Sequence, residues 1–146
     1  MRNGIGIAAP AALLTLAGSL FAGGFFLQLG NPEASPEARK LGAVLTVQSA
    51  GCVDPNNTKI SATAIGTVNG AARKLSLKLE QLPTPGMFAL TQQWPNQGRW
   101  VIRLEATNGR LFTTSLVTAG PDGVDRYHGQ AAHEPFSDAA IEAMLR

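Results

Sequence analysis

"RWVIRLEAT", residues 99 to 107, decides the fold. Trp100, Ile102, Leu104 and Ala106 fall on one side of an extended chain and Val101, Arg103 and Glu105 on the other, because successive side chains of a β-strand point to opposite faces. The stretch therefore reads as a half-buried strand with a Trp-led apolar face. The same alternation recurs in "RKLSLKLEQL", where Leu75, Leu77 and Leu79 oppose Ser76, Lys78 and Glu80. In "KISATAIGTV", Ile60, Ala62, Ala64 and Val68 oppose Ser61, Thr63 and Thr67. In "GMFALTQQ", Phe88 and Leu90 point inward against Met87, Ala89 and Thr91. Weaker strands lie near residues 43 to 49 and 110 to 118.

Turn signals separate these runs: Asp54-Pro55-Asn56-Asn57, Asn69-Gly70, Pro83-Thr84-Pro85-Gly86, Asn96-Gln97-Gly98 and Asn108-Gly109. Asn-Gly is the strongest short hairpin signal, since both residues tolerate the positive φ that a type I′ turn demands. Regularly spaced short strands predict an all-β domain over residues 41–119. Stacking two sheets buries every apolar face economically, so the expected fold is an immunoglobulin-like β-sandwich of about six or seven strands, with a small barrel as the alternative. Residues 120–146 read as a loop followed by a short helix, with Ser137 as N-cap, Phe136 stapling onto Ile141, and Met144 and Leu145 able to dock.

The N-terminus has a different character. Ile5 to Leu29 contains no charged residue and comes after the positive Met1-Arg2 end, which points to a membrane-targeting element over residues 1–30. A cleaved signal, ending near Leu20 or Phe25, and an uncleaved helical anchor through residues 5–29 both fit. "NPEASPEARK", residues 31–40, reads as an exposed linker. Export places the protein outside the cytoplasm, periplasmic or secreted, or held on the cytoplasmic membrane.

Composition excludes more than it assigns. Of 12 Lys and Arg only Arg2 precedes the linker, so the remainder nearly balances the 10 Asp and Glu. That balance leaves no electrostatic footprint for nucleic acid. The single Cys52 has no internal disulfide partner, and Ser49 stands where a lipoprotein signal needs Leu. No phosphate loop, nucleophile elbow, HExxH or CxxC motif is present, so the expected role is non-catalytic, and a small hydrolase built on an unmarked Ser, Thr or Cys is the remote alternative. The candidate metal ligands are His128, His133 and Glu134 in "RYHGQAAHE", residue types that copper or zinc accepts. Trp94, at a hairpin tip beside Pro95, and Met87 are the candidate contact surface.

The order Pro85-Gly86, Phe88, Gly98-x-Trp100 and Val101-Ile102-x-Leu104 resembles a strand pair of small extracytoplasmic immunoglobulin-like sandwiches, including the YtkA-like and FixH-like families. The resemblance implies a sandwich at or outside the cytoplasmic membrane, serving a cell-envelope protein partner, with some relatives tied to copper handling or respiratory-complex assembly. The Met- and His-rich stretches of the metal-handling members are missing here. Transthyretin-like domains of carboxypeptidases look similar and also lack catalytic residues.

Overall fold

The computed structural model describes residues 24–146. The part of the expected targeting element that precedes residue 24 lies outside the described residues. From Gly24 onward the chain folds into a two-sheet, all-antiparallel sandwich. The strands are β1 (Phe25–Gly30), β2 (Leu45–Gly51), β3 (Thr58–Val68), β4 (Ala71–Leu77), β5 (Leu79–Gln81), β6 (Met87–Leu90), β7 (Trp100–Asn108), β8 (Leu111–Gly120) and β9 (Gly123–Ala132). One sheet runs β1-β2-β6-β5 and the other β4-β3-β7-β8-β9.

Between the sheets lies a core of Phe25, Leu27, Leu45, Val47, Leu90, Trp94, Trp100, Ile102, Leu104 and Val117 with Ala62, Ala64 and Ala106. Gly66 pairs with Trp100 across β3 and β7, and a methyl group at Gly66 would sit 2.5 Å from the indole Cε3. The missing side chain is what admits the ring. Trp100 Nε1 donates to the Gln97 carbonyl at 3.0 Å, so the indole is buried with its polar atom satisfied.

The outer faces are covered as well, each by a short helix. Helix α1 (Pro36–Lys40) is capped by Ser35 Oγ accepting from Ala38 N, and buries Ala38 against Leu82 and Ala89 on the first sheet. Helix α2 (Asp138–Leu145) is capped by Ser137 and buries Ile141 against Val101 and Leu116 on the second, with Phe136, Met144 and Leu145 beside it. Val101, expected on the solvated face, is fully buried for this reason.

Four expected segments differ from the structure; the run at residues 73–82, expected as one strand, divides at Lys78 into β4 of one sheet and β5 of the other. Phe25 to Gly30, expected within a hydrophobic helix, is a strand: Phe25 and Leu27 point into the core while Phe26 and Gln28 point out, a period of two concealed inside an apolar run. Residues 31–40, expected as an unpacked linker, form a 3-10 turn and α1, with Pro32 and Ala38 buried. Residues 123–132, expected as loop, form β9, and the described residues hold nine strands. No helix among the described residues is long and apolar enough to cross a membrane.

The turns obey their chemistry with one shift. Asn69 and Gly70 have φ of +51° and +77°, as a type I′ hairpin between β3 and β4 requires. At the next Asn-Gly, Asn108 stays in the strand and pairs with Leu111, so the turn centres on Gly109-Arg110 with Gly109 at φ +60°. The Asn108 amide is used elsewhere: its Nδ2 donates to the Asp54 carbonyl at 2.8 Å and to Thr58 Oγ1 at 2.9 Å, tying the β7 end to the connection before β3.

Candidate functional site

Among the described residues, the pairing of β8 with β9 loses its register. β8 and β9 pair as Thr118↔Asp125 and then as Leu116↔Gln130, so Arg126, Tyr127, His128 and Gly129 stand opposite the single residue Val117. Extra residues in one strand leave the ladder and push outward, re-aiming their side chains. Gly129 closes the insertion, since a Cβ there would come 2.9 Å from the Leu116 carbonyl oxygen.

Asp125 organises the protruding turn. Its Oδ1 accepts from the Tyr127 amide at 3.1 Å and the His128 amide at 3.3 Å, and its Oδ2 lies 2.8 Å from His128 Nδ1. The His128 side-chain bond is the main cause holding the Asp125 carboxyl below its ordinary range, helped by the two amides and the His128 charge, with partial desolvation opposing. Arg126 lies over the Tyr127 ring, 4.7 Å from its centroid, and donates to the Tyr127 hydroxyl at 2.9 Å. Tyr127 is 80% exposed, the most exposed of the large hydrophobic side chains among the described residues.

Beside the insertion is a cleft of about 240 Å³ between the two sheets, lined by Leu27 and Leu29 from β1 and by Arg126, Tyr127, Gln130 and Ala131 from β9. A second, larger depression of about 400 Å³ lies at the β8–β9 turn, around Arg99, Thr118, Asp122 and Asp125. Cys52 is exposed and free beyond the end of β2.

The expected site residues are scattered. His128 sits in the insertion, bound to Asp125, whereas His133 lies past the end of β9 with Nδ1 3.4 Å from the Phe112 carbonyl. Glu134 is exposed beside it. No group of three or more His, Cys, Asp or Glu side chains converges among the described residues, so the three candidate ligands His128, His133 and Glu134 are not gathered into one cluster. Trp94 is 6% exposed and belongs to the inter-sheet core, which removes it as a contact surface. Met87 is half-buried against the Ala38, Leu82 and Ala89 cluster under α1. The expected contact pair thus serves packing: β6 leads Trp94 back between the sheets instead of leaving it at the rim.

Sequence reasoning noted Tyr127 only as a neighbour of the two histidines in one loop, and passed over Asp125 and Arg126. The available signal was "DRYHG", a carboxylate two and three residues ahead of the amides it caps, with a glycine after them. Neither His is hydrogen-bonded to a Ser, Thr or Cys among the described residues. No family model, curated protein or solved structure matches the chain.

Proposed function

We propose that this protein is an exported or membrane-anchored, non-catalytic sandwich domain of immunoglobulin-like type, which binds a protein partner as an accessory to a cell-envelope complex. The observation that carries the binding role is the β9 insertion. It presents an exposed Tyr127 stacked with Arg126 on a turn held by three contacts to Asp125. Tyr and Arg dominate the energetics of protein interfaces, and a loop already held in one conformation loses little entropy on binding. The uncharged run from Ile5 into β1 supports export, and the resemblance to extracytoplasmic sandwiches agrees with it.

The test is site-directed cross-linking in cells that produce the full chain. A benzophenone side chain introduced at Tyr127 is expected to give a discrete adduct with one envelope protein, lost on Arg126→Ala. The same group at Leu111, which is also exposed but lies at the opposite end of β8, is expected to give none. Equal labelling from both positions, or none from Tyr127, removes the proposal.

A further inference from the structure

The free edges of the two sheets are not alike. β4 carries Arg73 and Lys74, and β5 is only three residues long. Next to β5 the Gln93 side-chain amide satisfies the backbone of Lys78, accepting from its N–H and donating to its carbonyl, each at 2.8 Å. β9 is broken by its insertion. Charge, shortness and bulges are the devices by which sheet edges avoid unwanted pairing. β1 has none of them. Its six residues, FFLQLG, hold no charge and no proline, pair with β2 in unbroken register, and bear no strand on their other side among the described residues. Phe26, on its outer face, is 48% exposed.

The cleft beside this edge has the size and lining to receive side chains. Leu27 and Leu29 line it from β1, and at about 240 Å³ it falls below the ~300–1,000 Å³ usual for small-molecule pockets. A chain laid along the free edge of β1 continues the sheet, so its alternate side chains point to the same face as Leu27 and Leu29 and enter this cleft. There they meet Arg126, which has no carboxylate partner among the described residues.

We propose that β1 accepts an extended segment of a partner protein as an added strand, with apolar inward side chains filling the cleft and an inward carboxylate pairing with Arg126. The proposal rests on the binding-module reading and narrows it to a chemistry: an uncharged or acidic β-strand. Main-chain hydrogen bonds to β1 hold the segment, the cleft reads its alternation, and Arg126 reads its charge.

The probe is the blocked peptide acetyl-Thr-Val-Thr-Glu-Thr-Val-Thr-amide, added to the isotope-labelled full chain in detergent micelles and monitored by amide shifts. Saturable shifts are expected at Phe25 to Gly30 and Arg126 to Ala131. A twin with Lys in place of Glu is expected to bind about fivefold more weakly, the upper range for a partly exposed ion pair, and Arg126→Gln is expected to erase that preference. Shifts centred on β4 or β5, an Arg126→Gln variant that keeps the preference, or no binding at millimolar peptide would each overturn strand addition. Concentration-dependent shifts at β1 without peptide would overturn it differently, by showing a second copy on the edge. The Tyr127 cross-link is read independently, so a partner trapped there without any peptide binding leaves the module reading intact while removing this one.

Discussion

At the level of single residues, the most informative position is one without a side chain. Gly66 has an ordinary strand conformation, so its reason is space: Trp100 Cε3, Trp100 Cδ2 and the Arg99 carbonyl oxygen lie 2.5, 2.7 and 2.8 Å from where its Cβ would be. Overfilling a packed core costs typically 1–3 kcal/mol, and Gly66→Ala is expected to lower stability by roughly that amount in urea unfolding, with no loss of slope. An unchanged midpoint would mean that the Trp100 ring yields easily. Asp125 is the residue whose ionisation matters to the candidate site. Its carboxyl titrates below the ordinary 3.8 when folded, chiefly because the charged form is bonded to His128. The contribution of a depressed carboxyl is complete above the unfolded value and disappears as pH falls through the folded one. The Tyr127 and His128 amides are therefore expected to keep their positions through neutral and mildly acid solution and to shift with a midpoint below 3.8. An acid titration with a midpoint at or above that value would show that Asp125 does not hold the turn.

Among the elements, β1 changes the meaning of the N-terminus. Phe25 is 2% and Leu27 8% exposed, and both belong to the inter-sheet core with Leu29 packed against it, so the apolar character of Phe25, Leu27 and Leu29 is explained by packing without a bilayer. Ile5 to Gly24 remain as the uncharged run, still about the 20 residues of a membrane span. If the chain is exported as proposed, processing must leave β1 whole. Mass spectrometry of folded protein from a bacterial host is expected to find the N-terminus intact in membranes or, if cleaved, at Phe25 or earlier. A stable folded species starting beyond Leu27 would contradict the place of β1 in the core. Helix α2 makes the complementary point, since its cap and its docking residue Ile141 were readable, while the partner face that buries Val101 was not.

For the whole molecule, legibility divided along the range of the interactions. Strands β3, β4 and β7 were readable because one face of each is apolar and the other mostly polar, and the Asn69-Gly70 hairpin because its backbone angles demand those residues. β1 was hidden because an apolar strand next to an apolar, uncharged run of sequence shows no boundary, and β9 because an edge strand interrupted by an insertion has no steady period. Trp94 read as a rim residue from its neighbour Pro95, and only the path of the chain between the sheets shows it to be core. Sequence alone determined the all-β character, the turn positions and the capped C-terminal helix, since these rest on contacts and torsions among near neighbours. Tertiary structure alone decided which strands form the edges, which outward faces the helices bury, and that Asp125, Arg126 and Tyr127 border a cleft with Leu27 and Leu29. Those outcomes depend on residues tens of positions apart in the chain, about a hundred in the case of the cleft, separations over which local periodicity carries no information.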